Sequence, residues 1–197
     1  MKGTRNLILL IVLGLVLILG VWGCSGYNGL VKQDETVKNM WSNVQSQYQR
    51  RTDLIPNLVN TVKGEANFEQ STLTGIVEAR AKALQVRVDP NNPTPEKVAE
   101  FQQAQTQVTT ALRGLLGYVE NYPNLKTNEG FRALQAELAG TENRINVARN
   151  DYNSAVNTYN TKVRSFPTNI VAGILGFERR QGFTAQEGAE KAPDVKF

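Results

Sequence analysis

The chain has 197 residues, and its 41% hydrophobic and 20% charged content is typical of an ordered protein. After Lys2 and Arg5, 20 Lys and Arg remain against 18 Asp and Glu, a balance of +2 that lacks the clustered basic pattern of nucleic-acid-binding proteins. The chain has no histidine and one cysteine, which excludes histidine-based catalysis, thiolate zinc clusters and an intrachain disulfide. We therefore expect no nucleic-acid partner.

Residues 1–26 form an apolar segment that we predict to be a membrane anchor. No residue between Arg5 and Lys32 is charged, and Leu7 to Cys24 would span about 27 Å as a helix, close to the thickness of a bilayer core. A retained spanning helix is the first interpretation. A lipoprotein signal is the second, because Gly23 directly precedes Cys24, which makes Cys24 a candidate lipidation site. A buried core helix is disfavoured, since the chain contains no equally apolar partner.

Basic residues beside the anchor predict its orientation. Lys2 and Arg5 lie directly before the apolar segment, whereas Lys32 and Lys38 lie farther beyond it. The positive-inside rule then favours a cytoplasmic N-terminus and an exported domain. Lipidation at Cys24 would place the domain on the same side.

From residue 27 onward, apolar residues recur at helical spacing, which predicts a helical bundle domain over residues 27–177. The first helix is expected over about 28–52 and the second to about 88, with Pro56 either in the first turn of the second helix or at a kink in one long helix. We therefore predict an all-α protein, in which an N-terminal transmembrane helix precedes an elongated antiparallel bundle of about four long helices.

The second half of the bundle has the clearer helix signals. Thr94 is expected to cap a third helix that begins at Pro95 and carries a coiled-coil-like heptad as far as about 122. A fourth helix is expected over about 127–165. The apolar segment 170–177 is too short to span a membrane, and either caps the bundle or touches a bilayer. Residues 178–197 form a polar C-terminal tail, and we expect residues 182–197 of it to be mobile.

Six asparagines in the fourth predicted helix recur at steps of three and four residues, and we call this set the asparagine ladder. Its members are Asn143, Asn146, Asn150, Asn153, Asn157 and Asn160. The ladder lies about 200° from the apolar stripe of the helix. Because asparagine is a mediocre helix former, the ladder is either a solvated face or a polar interaction surface for another helix or protomer.

Arg50 and Arg51 lie beside Asp53 at the expected junction of the first two helices. Either arginine could bind a lipid phosphate or an acidic partner, and pairing with Asp53 or capping of a helix is the alternative. No nucleophile–base pair, phosphate-binding loop or metalloprotease motif occurs in the sequence. We therefore expect a protein that is not an enzyme, with no catalytic residue, no metal site and no cofactor.

Motifs along nearly the whole chain are similar to those of the LemA family. They are YNGLV at 27–31, QRRTDLIPNLV at 49–59, YPNLK at 122–126, GTENRI at 140–145 and PDVKF at 193–197. The resemblance implies a bacterial inner-membrane or cell-envelope protein with one N-terminal helix and a long helical domain. It implies no catalytic site.

These observations favour an anchored scaffold or adaptor that works through protein–protein contacts with an unidentified partner, or through homo-oligomers. A lipid-contacting, envelope-remodelling protein that uses Arg50, Arg51 and the 170–177 segment is the alternative. A hydrolase with a carboxylate mechanism is the third hypothesis, and it is disfavoured because no acidic pair has a distinctive context.

Overall fold

The computed structural model describes residues 2–64, 70–91 and 93–184. All regular secondary structure in this part is helical, which confirms the predicted all-α class. The helices are α1 (Lys2–Lys63), α2 (Gln70–Gln85), α3 (Pro95–Val119), α4 (Pro123–Thr127), α5 (Glu129–Arg164) and α6 (Thr168–Leu175).

Helix α1 joins the apolar anchor to the bundle without a break. Its 62 residues correspond to a length of about 93 Å. The N-terminal part is long and apolar enough to cross a membrane, and none of its most apolar stretch is buried inside the protein. The predicted membrane anchor is therefore one end of a helix whose other end forms a wall of the bundle.

Pro56 lies inside α1, so the helix end expected near residue 52 is wrong, and the alternative of one helix that continues through Pro56 holds as far as Lys63. A proline has no N–H to donate to the carbonyl four residues earlier, which here belongs to Thr52. Arg80 of α2 replaces that donor, because its Nε donates to the Thr52 carbonyl oxygen at 2.8 Å. Helix α1 can therefore continue to Lys63 because a side chain from another helix satisfies the carbonyl that Pro56 leaves free.

The helices run alternately away from the anchor and back toward it. Helices α1 and α5 pack along each other, as do α2 and α3, and α2 also contacts α1. Helix α3 begins at the cap predicted from the sequence, where the Lys97 N–H donates to Thr94 Oγ1 at 3.4 Å. The anchor end of the bundle contains residues 26–34 of α1, the C-terminal end of α5 and α6, and we call this region the membrane-proximal end.

The core has two parts. The part far from the anchor is aliphatic except for Phe131 and combines α1 residues such as Ile55 and Leu58 with α2, α3 and the start of α5. The part near the anchor is centred on Trp41, which is 1% exposed and packs against Phe101 and Tyr152.

The C-terminal region has a role in the core that the sequence did not predict. Helix α2 ends at Gln85, and the C-terminal strap, residues 178–184, covers part of the core near the anchor. Phe183 of the strap is 7% exposed and stacks on Trp41, with ring centroids 5.5 Å apart. The expectation of a mobile tail is therefore wrong for residues 182–184, while residues 185–197 lie outside the described residues.

Candidate functional site

The asparagine ladder lies on α5, and its members have two different environments. Asn153 and Asn160 are half-buried beneath the C-terminal strap. The other four side chains are exposed, and none forms a hydrogen bond with the part of the chain that the structure describes. They are Asn143, Asn146, Asn150 and Asn157. The ladder is therefore partly a binding site for the strap and partly an exposed surface.

Asn153 and Asn160 each bind one strap residue through both polar atoms of the amide. Asn160 Nδ2 donates to the Arg180 carbonyl at 2.8 Å, and the Arg180 N–H donates to Asn160 Oδ1 at 2.8 Å. Asn153 Nδ2 donates to the Phe183 carbonyl at 3.2 Å, and the Phe183 N–H donates to Asn153 Oδ1 at 2.8 Å. The two amides therefore satisfy backbone groups that have no helical partner.

Helical and extended spacing match along this contact. Asn153 and Asn160 are seven residues apart, which is about 10.5 Å along a helix. Arg180 and Phe183 are three residues apart, which is about 9–10 Å of extended chain. One heptad of the ladder therefore accommodates three residues of the strap, so an asparagine every seven residues suits an extended backbone.

Side chains of the strap add further contacts at the same place. Arg180 forms an ion pair with Asp34 of α1 at 2.6 Å, and both side chains are largely buried. The guanidinium of Arg149 lies 4.9 Å from the centre of the Phe183 ring. The Tyr152 hydroxyl donates to the Gln181 carbonyl at 3.0 Å, and burial raises the pKa of Tyr152, so it stays a neutral donor.

Arg51 is buried, at 2% exposed, although no pattern in the sequence distinguishes it from Arg50. Its Nη1 donates to Thr109 Oγ1 at 2.8 Å and to Glu142 at 3.1 Å, and its Nη2 donates to the carbonyl and side-chain oxygens of Gln105 at 3.0 and 2.8 Å. Its guanidinium also lies 5.0 Å from the centre of the Tyr48 ring.

The environment of Arg51 has two opposing effects on the pKa of its guanidinium. Burial lowers the pKa of its guanidinium, and the nearby Glu142 carboxylate raises it. Burial also raises the pKa of the neighbouring Tyr48, so that phenol stays protonated. Arg51 thus joins α1, α3 and α5 as a buried cation, and Gln105, the single polar residue of the predicted heptad, is its partner.

Arg50 lies on the surface of the bundle. Its Nη2 donates to Glu137 of α5 at 2.6 Å, and Arg144 lies 3.3 Å from the same oxygen. Hydrogen bonding with Arg50 lowers the pKa of the Glu137 carboxyl group. Neither Arg50 nor Arg51 pairs with Asp53 in the structure, since Asp53 accepts from Gln49 at 2.8 Å.

Cys24 is exposed in α1, just beyond the apolar stretch, and its lipidation stays a prediction. Helix α6 overlaps the predicted 170–177 segment but begins two residues earlier, at Thr168. It packs Ala172 into the membrane-proximal end of the core and is capped by Gly176, whose φ of 73° favours glycine. Among the described residues, no group of three or more acidic, Cys or His side chains could hold a metal ion.

Three residues have structural roles that no sequence pattern singled out. Arg80 donates to the Thr52 carbonyl, Asp34 pairs with Arg180, and Phe183 stacks on Trp41 although it lies in the segment expected to be mobile. One signal was available for Phe183, because it is an isolated aromatic residue in an otherwise polar segment.

The fold and its apolar helix define the class as membrane-associated helical-bundle proteins. A family model described as the LemA family matches residues 40–197. The chain belongs to the LemA family, as its motifs indicated.

Two relatives illustrate the similarity. Protein LemA of Metamycoplasma hominis is 27% identical over 161 residues, which cover 81% of this chain and 69% of that protein. Magnetosome protein MamQ 2 of Paramagnetospirillum magneticum is 26% identical over 176 residues, covering 80% of this chain. The match spans 64% of the magnetosome protein, which is just under two thirds of its length.

Proposed function

We propose that this protein is a membrane-anchored scaffold or adaptor that holds a protein partner at a fixed distance from the membrane, and that it is not an enzyme. The observation that carries the proposal is the continuity of α1, which is one helix from the apolar anchor to the far end of the bundle. An uninterrupted helix transmits position and orientation better than a flexible linker does. The names of the reported relatives state no reaction.

The partner surface that we propose is the exposed amide line, which consists of Asn143, Asn150 and Asn157. These side chains share one face of α5 at heptad spacing, and all three are exposed. Each amide offers two donors and an acceptor, which suits a second helix or an extended backbone. Asn150 is 12 residues from Lys162, whose Nζ lies beside Gly29 at the membrane-proximal end, so the partner would lie about 18 Å from that end.

Site-specific photocrosslinking in membranes tests this surface. A photoreactive residue in place of Asn150 in the full chain should give a discrete crosslinked product. The same residue in place of Gln107, which is exposed on α3, is the matched control. The product at position 150 should disappear when Asn143 and Asn157 are replaced by Lys, because both amides are lost and two positive charges are added.

The mass of the product separates the candidate occupants. A product of twice the chain mass indicates a homo-oligomer, and another mass indicates a different partner; either supports the scaffold. Equal yields at positions 150 and 107, or a product at 150 that survives both Lys substitutions, would contradict the proposed surface.

We further propose that the protein crosses the bacterial inner membrane once, with a cytoplasmic N-terminus and an exported bundle. An envelope lipoprotein attached through Cys24 is the alternative. Mass spectrometry of the mature N-terminus distinguishes them, because a lipoprotein would begin at a lipid-modified Cys24. Accessibility of the bundle to protease in intact spheroplasts tests the orientation.

A further inference from the structure

Helix α6 forms the end of the bundle that faces the anchor. Val171 Cγ2 lies 3.7 Å from the position that a Cβ on Gly26 would occupy. The Phe177 and Tyr27 rings pack edge to face, with their centroids 6.1 Å apart. Residues before and after α6 contact α1 farther from the anchor, since Lys162 lies beside Gly29 and Arg180 pairs with Asp34. The chain therefore runs toward the anchor in α5, passes α1 near residues 26 and 27 in α6, and turns away from the anchor in the strap.

One face of α6 is buried and the opposite face is apolar and exposed. Ala172 is buried in the core, and Val171 packs against it. Ile174 is 78% exposed, and Ile170 and Leu175 of α6 are also exposed. Phe166, two residues before α6, is 80% exposed. Capping of the bundle explains only the buried face. Ile170 and Ile174 are four residues apart and therefore neighbours on the helix surface, and adjacent exposed apolar groups mark an interaction surface.

The position of this patch matches the expected edge of the bilayer. About 20 helical residues cross a hydrocarbon core of about 30 Å. Counting from Leu7, the first residue of the apolar run, the core would end near Gly26. Gly26 is the residue of α1 that Val171 of α6 approaches. The exposed face of α6 thus lies at the depth where α1 leaves the hydrocarbon.

Two arginines lie beside this patch without a carboxylate partner. Arg164 and Arg179 line a polar hollow of about 310 Å³ together with Asn157, Asn160 and Ser165. Both arginines are exposed, and neither forms an ion pair within the described part of the chain. Guanidinium groups next to exposed apolar side chains suit the phosphate groups and acyl chains of a membrane surface.

We infer that α6 and this arginine pair form a second membrane contact, in which Phe166, Ile170 and Ile174 enter the surface of the bilayer that α1 spans and Arg164 and Arg179 bind anionic phospholipid headgroups. The continuity of the patch with the spanning helix identifies the occupant as the bilayer. This contact goes beyond the scaffold role, because it needs no protein partner. It fixes the tilt of the bundle on the membrane, which a single spanning helix leaves free.

Spin-label accessibility in the full chain tests the contact. A nitroxide is attached to Ile174→Cys in a Cys24→Ser background, in vesicles of phosphatidylglycerol mixed with phosphatidylcholine. We expect high collision rates with oxygen and low rates with a water-soluble nickel chelate, as for a label in lipid. The control is a label at Val147→Cys, which is exposed on α5 and should be in water. Val147 precedes Lys162 by 15 residues, so it lies about 22 Å farther from the anchor than Lys162 does.

A second comparison tests the arginine pair. Replacing Arg164 and Arg179 with Gln should weaken the membrane contact in the phosphatidylglycerol vesicles. The equilibrium constant between the lipid-immersed and the water-exposed label should fall about five-fold per arginine. The effect should be much smaller in vesicles of phosphatidylcholine alone. The matched control replaces Arg87 and Arg113, two exposed arginines farther from the anchor, and should leave the label immersed.

Three results would overturn the inference. The first is a label at Ile174 that is as accessible to the nickel chelate as the label at Val147, which would place α6 in water. The second is a label shielded from both oxygen and the chelate, which would indicate a protein occupant such as a second copy of the chain. The third is an equal loss of immersion in both arginine variants, which would remove the headgroup site. None of these results bears on crosslinking at Asn150.

Discussion

Replacement of Arg80 tests how α1 passes through Pro56. Arg80→Met keeps a long unbranched side chain but removes the donor to the Thr52 carbonyl. Thr52 is 1% exposed, so water cannot easily replace that donor. An unsatisfied buried acceptor costs about 1–3 kcal/mol, and we expect the free energy of unfolding to fall by that amount. For a chain of this size, the melting temperature should fall by roughly 2–12 °C.

The same replacement in a Pro56→Ala background isolates the cause. Alanine restores an N–H at position 56, which can donate to the Thr52 carbonyl within the helix. Arg80→Met should then cost less than about 0.5 kcal/mol, giving a coupling of about 0.5–3 kcal/mol. Urea unfolding in detergent micelles, followed by far-UV circular dichroism, measures all four variants. Equal costs of Arg80→Met in the two backgrounds would refute the explanation.

Three further predictions concern the strap, the buried arginine and pH. Asn160→Ala should speed hydrogen exchange of the Arg180 amide and leave α2 amides unchanged, because only the strap loses its partner; unchanged exchange at Arg180 would contradict the contact. Arg51→Lys should lower the free energy of unfolding by about 2 kcal/mol in urea titrations, since one ammonium cannot replace four guanidinium bonds; a change near zero would argue against that network. Glu137 has a lowered pKa in the folded state, so its contribution is present above the unfolded pKa and is lost as pH falls through the folded pKa. Melting temperatures of wild type and Glu137→Gln should therefore converge in acid, and a constant difference would oppose this assignment.

The helices could be predicted from the sequence because their signals are local, whereas the end of the first helix could not. Apolar spacing and the Thr94–Pro95 cap act within a few residues of each other. The local rule for proline favoured a new helix near Pro56. The outcome in the structure depends on Arg80, which is 28 residues from Thr52 along the chain. No pattern near Pro56 carries that information.

The surface could be predicted only in part. The spacing of the asparagines placed them on one face of one helix, but their partners depend on where the strap returns. Arg50 and Arg51 are adjacent in the sequence, yet about 100° apart around a helix. That rotation buries Arg51 between α3 and α5 and leaves Arg50 on the surface, so similar side chains have different roles.

The strap and the proposed membrane contact are physically connected. Helix α6 is joined to α5 on one side and to the strap on the other, and the strap is fixed to α5 by Asn153 and Asn160. The Arg180–Asp34 ion pair then fixes the strap to α1, within about two turns of the level of α6. An exposed apolar helix held at both ends cannot easily turn its apolar face inward. Asn153 and Asn160 therefore do more than bind the strap, because through it they hold α6 in the orientation that the proposed membrane contact requires.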